Sequence, residues 1–213
     1  MTSPTTIDGG GATVAPGAAP RAPAARCFGD GDPLYESYHD TEWGVPFEDS
    51  ADERELYERL ALEAFQSGLS WITILRKRDA FRAAFADFDP VAVATFDDAD
   101  VERLMADAGI VRNRAKIDAT IADARALVAM HERGERLRDV LEAYRPADPT
   151  VPAGPADVPG STPASVALAK DLKKLGFRFI GPTTAYAAMQ AVGIVDDHLV
   201  TCPVRRAGVT AGG

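Results

Sequence analysis

Two groups of residues in this chain could do chemistry. The first is spread over the two ends: Cys27, His39, His198 and Cys202 comprise both cysteines and two of the three histidines. Each cysteine has a histidine near it in sequence, and His198-x3-Cys202 brings its two side chains to one side of a helix or turn. Two thiolates and two imidazoles are the ligand set of a closed, tetrahedral zinc site, structural rather than Lewis-acidic. Two buried thiols or a Cys27–Cys202 disulfide would leave the paired histidines unexplained, and a disulfide is disfavoured in a reducing compartment. The third histidine, His131, stands alone near a helix end and is expected at the surface.

The second group lies in LEAFQSGLSWITIL, residues 62–75. Glu63 sits among Leu60, Leu62, Ala64 and Phe65, with Gln66 following. A carboxylate beside an apolar helix face is costly to bury without a partner, and Trp71 offers a flat face that stacks on a base or fills a core. By itself this stretch favours the plainer alternative, with Glu63 facing water and Trp71 packed in the core.

The elements that must position these residues are helices. Asp52–Phe65 carries apolar residues at helical spacing. Ser70 is a plausible N-cap for a helix running to about Phe85. Asp89-Pro90 starts a short helix, and Asp97 or Asp98 caps one that Gly109 would end as its C′ residue. Another runs from near Asn113 to about Glu132. Between these last two lies a short hairpin whose N–H groups could hold a phosphate, with Arg112, Arg114 and Lys116 nearby; an ordinary solvated hairpin is the alternative. Helix is also expected near 34–39, at 135–144, over 165–175 up to Gly176, and from Pro182 to Gln190. Residues 145–165 are too proline-rich for continuous helix. No alternating strand pattern and no internal repeat is present, so the fold is read as all-α.

The chain has 213 residues, enough for one well-filled core, and 46% are hydrophobic. No run is long enough to span a membrane, and residues 1–25 lack the basic start and apolar core of a signal peptide. Their Gly/Ala/Pro composition reads as a disordered tail, and residues 205–213 as a flexible one. A cytoplasmic monomer is expected. The net charge of −9 argues against indiscriminate nucleic-acid binding. Yet cations cluster at Arg76–Arg82, at Arg112–Lys116 and at Lys170–Arg178, and gathered on one face they would suit a phosphate backbone.

The motifs DPLYESYHDTEWGVP, LEAFQSGLSWITIL, DAGIVRNRAKI and GFRFIGPTTAYAAMQAVGIVDDH, in this order, resemble the DNA-3-methyladenine glycosylase I family from about Arg26 to Cys202. The resemblance implies an all-α helix-hairpin-helix glycosylase domain over 26–204, with the hairpin unit at about 98–125 and a zinc site joining the N- and C-terminal segments. It implies a monofunctional N-glycosylase that excises 3-methyladenine from alkylated double-stranded DNA and leaves an abasic site. Zinc ligands then fall on Cys27, His39, His198 and Cys202, and the base-pocket acid on Glu63. The stacking wall falls on Trp71, with Tyr35 and Tyr38 as further walls. Gln66 could add a polar contact, and Leu69, at a turn tip, could fill the space a flipped base leaves. Where family members carry a Trp after the first cysteine, this chain has Phe28-Gly29. A zinc-clipped DNA-binding module without catalysis would need the basic hairpin but not the Glu63–Trp71 pair. A zinc hydrolase would need an open metal position.

Overall fold

The structure, a computed structural model, describes residues 25–46 and 53–205. The tails expected at 1–25 and 205–213 lie almost wholly outside the described residues. Among the described residues there are ten α-helices and no strand, as the helical periodicity required.

The centre is α2 (Arg54–Gln66). Leu56, Tyr57, Leu60, Ala61, Leu62, Ala64 and Phe65 are all buried, so apolar residues surround the helix instead of forming one stripe. A helix of that kind belongs inside a core. α1 (Pro33–Thr41) lies before it, capped by Asp32, whose side chain accepts from Leu34 and Tyr35 N–H. α3 (Trp71–Leu75) and α4 (Arg78–Ala84) follow. A single helix from Ser70 to about Phe85 was expected, but the run breaks at Arg76–Lys77. Ser70 provides no side-chain cap; its hydroxyl pairs with Thr73 Oγ1 at 2.8 Å instead. The break turns Phe81 and Phe85 inward against Phe65, and Phe85 stacks on Phe88 at 5.5 Å.

α5 (Pro90–Ala94) and α6 (Asp98–Ala106) pack on the long α7 (Arg114–Glu132). Asp97 caps α6 in a reciprocal capping box with Asp100, and Asn113 caps α7. α6 ends earlier than expected. Asp107 leaves the helix in extended conformation and its Oδ1 accepts from Gly109 N–H at 2.7 Å, so Gly109 belongs to the loop rather than to a helix C-terminus. α8 (Leu137–Glu142) is shorter than expected, and a proline-rich loop leads to α9 (Pro163–Leu175) and α10 (Pro182–Ala191), which pack on each other.

His131 is exposed, as expected, but it has a partner. Its Nε2 lies 2.6 Å from Glu53 Oε2. Glu53 is buried at the start of α2 and also accepts from the N–H groups of Leu137 (3.0 Å) and Arg138 (2.8 Å), tying α8 to α2.

Candidate active site

α1 brings both groups of chemical residues together. Tyr38 extends toward α3 and meets Trp71 with ring centroids 5.1 Å apart at 42°. Phe28 completes the aromatic wall, 4.9 Å from Tyr35 and 6.4 Å from Tyr38. Salt bridges fix α1 against the neighbouring helices: Arg76 meets Asp32 at 2.6 Å, and Arg78 grips Glu42 with contacts of 2.5 and 3.0 Å.

Glu63 faces these aromatics from α2 and is only 6% exposed. Among the described residues no donor hydrogen-bonds its carboxylate, and burial, only partly offset by Arg59, pushes the carboxyl up to about 8. Burial, and then the nearby Glu63, raises the phenols of Tyr35 and Tyr38. The Trp71 Nε1 is also buried without a partner. A buried acid and a buried indole N–H, both unpaired beside three aromatic faces, form an environment that lacks a polar, planar guest. The plainer alternative for this stretch fails for Glu63, which is buried, and holds for Trp71, which packs against the core. Gln66 points elsewhere: its Nε2 donates to Leu69 O at 3.3 Å and closes the turn after α2.

On the other side of Phe28, edge-on at 4.8 Å, is His39. The ligand atoms of Cys27, His39 and Cys202 lie within 4.8 Å of one another. His198 stands beside them, its ring 4.9 Å from that of His39, and its Nε2 is buried with no partner. The Nδ1 atoms of the two histidines are held by carboxylates, His39 by Asp40 at 2.8 Å and His198 by Asp196 at 2.7 Å. That arrangement leaves each Nε2 to face inward. Gly44 makes room for the ring: a Cβ there would come within 2.9 Å of His198 Cε1. Both cysteines are free thiols. Asp196 and Asp40 are members of this neighbourhood that the sequence did not mark out; a carboxylate within two residues of each histidine was the available signal.

The positions expected to meet DNA separate. Leu69 is 41% exposed at the tip of the α2–α3 turn, where Gly68 takes φ 83°. Arg112 and Arg114 are exposed, Arg114 paired with Glu102. Gly109 and Lys116 do not fit an anion-binding hairpin. The Gly109 N–H is taken by Asp107. Lys116 is buried, its Nζ donating to Phe65 O at 2.9 Å and Ser67 O at 2.6 Å. A second hairpin, between α9 and α10, was missed. There Lys173, Arg178, Phe179, Gly181 and Thr183 are exposed, and α10 starts without a side-chain cap. The third cation cluster together with Gly176 and Pro182 was its signal.

This arrangement has counterparts. A family model described as methyladenine glycosylase matches residues 28–206. DNA-3-methyladenine glycosylase 1 of Escherichia coli (strain K12) is 50% identical over 173 residues, covering 80% of this chain and 91% of that protein. A crystal structure of 3-methyladenine DNA glycosylase I aligns with TM-score 0.78 at 48% identity, over 83% of this chain and 96% of that one. A variant of 3-methyladenine DNA glycosylase I in complex with 3-methyladenine aligns with TM-score 0.77 at 35% identity, over 83% and 95%. Agreement of sequence and fold over nearly all the described residues makes the chain a member of the methyladenine glycosylase family.

Proposed function

We propose that the chain is a DNA repair glycosylase that hydrolyses the N-glycosidic bond of 3-methyladenine in alkylated DNA and leaves an abasic site. The observation that carries this reading is the buried, unpartnered Glu63 facing Tyr35, Tyr38 and Trp71. The relatives named for 3-methyladenine, one of them in complex with it, support it.

Methylation at N3 makes the adenine in DNA cationic and weakens its bond to the sugar. The protein therefore has no need of a strong acid to protonate the leaving group. It must extract the nucleotide, hold the cation and let water attack as the C1′–N bond breaks. Tyr35, Tyr38 and Trp71 stack on the base and attract its charge. Glu63 accepts from the amino edge of the base. With its carboxyl at about 8 the free protein holds it mostly neutral at pH 7, so capture of a cationic base releases a proton and leaves a buried ion pair. Neutral adenine gains no such pairing. Gln66 supports the turn rather than the base.

Cys27, His39, His198 and Cys202 would hold one zinc. The orphaned His198 Nε2 and the close cluster of Cys27, His39 and Cys202 fit a four-ligand site with no open position. Such a metal supplies structure, clasping the two ends of the domain. DNA would lie over the turn bearing Leu69 and the α9–α10 hairpin, whose uncapped helix start and exposed Lys173 and Arg178 suit a phosphate. Arg112 and Arg114 would flank it. We infer that this second hairpin grips the backbone, in place of the one at 98–125. No described helix is long and apolar enough to cross a membrane.

Incubation with methylated DNA, followed by chromatography of the released bases, tests the proposal. Release of 3-methyladenine that is slower in Glu63→Gln is the expected result. DNA binding without any released base would leave a binding module.

A further inference from the structure

Lys116 is the one cation of its cluster that is buried, at 5% exposure. An ammonium has three donors and no acceptor. Two reach the carbonyls of Phe65 and Ser67, and the charge lies 5.6 Å over the ring of Phe179. Among the described residues no carboxylate forms an ion pair with it, and burial lowers its pKa.

Its three partners come from two loops far apart in sequence. Phe65 and Ser67 end α2, where unpaired carbonyls and the negative end of the helix dipole favour a cation. Just beyond them the turn projects Leu69, held by Leu69 N–H to Gln66 O at 2.7 Å and by the Gln66 side chain. Phe179 belongs to the strap between α9 and α10. It is 43% exposed and takes φ 59°, a left-handed conformation that is uncommon and costly for a bulky residue. The strap is pinned beside it by Arg178 N–H to Asp123 Oδ1 at 2.6 Å. Ser67 and Phe179 line one open groove together with Lys173 and Arg178. Two large apolar side chains thus stand in water, both braced by one buried ammonium and flanked by cations.

We propose that Lys116 is a positioning residue that locks the Leu69 turn and the Phe179 strap into a single two-pronged wedge, which enters the duplex where the target nucleotide leaves it. This rests on the glycosylase reading for its purpose, though not for its test. Lys116 itself meets no phosphate. Apolar side chains that enter a base stack do so at the cost of unstacking, and prongs already fixed at their spacing lose little further freedom on entry. Tying the wedge to the end of α2 also fixes it relative to Glu63, which lies two residues before the Phe65 carbonyl on the same helix.

The test measures binding to a duplex bearing a non-hydrolysable abasic analogue, by fluorescence anisotropy over a salt series. Lys116→Met should weaken binding about tenfold and leave the slope of log K against log salt unchanged. Lys116→Arg, which keeps donors and charge, should recover most of the loss. Leu69→Ala and Phe179→Ala should be non-additive: the double variant should lose about as much as the worse single one. Free 3-methyladenine should bind Lys116→Met as it binds the parent. A slope reduced by about one would instead identify a direct phosphate contact and overturn the proposal, as would losses for Leu69→Ala and Phe179→Ala that multiply. Should Lys116→Met lose its far-UV spectrum, the Leu69/Phe179 cycle decides alone. A parent that releases no 3-methyladenine refutes the glycosylase reading but leaves the anisotropy comparison intact.

Discussion

Replacing Glu63 by Gln should stabilise the protein increasingly as pH rises, while impairing its activity. Burial raises the Glu63 carboxyl from 4.5 to about 8, with Arg59 opposing the shift. Unfolding returns it to the ordinary range. An acid whose folded pKa is raised costs nothing below its unfolded pKa. The cost grows by about 1.4 kcal/mol per pH unit above that, and levels off once pH passes the folded pKa. Between pH 5 and pH 8 the parent should therefore lose about 3–4 kcal/mol that Glu63→Gln does not. At about 2–4 °C per kcal/mol for a domain of this size, the melting temperature of the variant should gain about 10 °C on the parent across that window. The absolute offset is smaller, because a buried amide without partners has its own cost of about 1–3 kcal/mol. The slope is free of that term. Thermal melts of both proteins at half-unit pH steps give it directly. Parallel pH profiles would refute the reasoning and mean that Glu63 reaches water or an unseen donor in the folded protein.

Release of 3-methyladenine should rise with pH up to about 8 in the parent, since the ionised acid pairs with the cationic base; Glu63→Gln should be flat and slower, in single-turnover assays. Trp71→Ala should weaken free-base binding by about 1–3 kcal/mol through lost stacking, with some loss of stability, as isothermal titration and melting would report. Elemental analysis of protein purified without chelator should find one zinc per chain, and Cys202→Ala should lower the melting temperature more than it alters the pH profile of base release. Glu53→Ala should cost about 2–4 kcal/mol in urea unfolding, because the N–H groups of Leu137 and Arg138 lose their buried acceptor. Lys173→Ala should reduce the salt slope of DNA binding by about one, and Arg114→Ala, already paired with Glu102, should reduce it less.

The helices were legible because their caps and periodicity are local. Asp32, Asp89, Asp97 and Asn113 each accept from the N–H groups that begin a helix, and each does so in side-chain chemistry visible one turn away. The gathering of Cys27, His39 and Cys202 was legible because cysteine and histidine are rare and came in pairs. The break between α3 and α4 was not, since it follows from the inward packing of Phe81 and Phe85, a tertiary matter. The roles of His131 and Lys116 were hidden for the same reason. Glu53 lies 78 residues from His131 and Phe65 lies 51 from Lys116, so nothing near either residue announces its partner. A basic cluster in sequence cannot say which of its members turns inward.

The division of labour on α1 would give a metal at the Cys27, His39 and Cys202 cluster a stake in the proposed base recognition. Tyr38 and His39 are neighbours in sequence, and successive helical residues point about 100° apart. One therefore faces Trp71 while the other faces Cys202. Phe28 lies between them, edge-on to His39 and tilted against Tyr35, and follows directly on Cys27. A metal held by Cys27 and His39 would thus fix Phe28 and Tyr38 by backbone connection alone. It would also close a loop of most of the chain, where the entropic gain from joining distant segments is greatest. Glu63 needs such a frame. An acid that holds no hydrogen bond inside the protein would be relieved by any motion that let water reach it, and relief would cost it the preference for a cation. Rigidity at α1, which a metal held jointly with Cys202 would supply from the far end of the chain, would keep that acid buried.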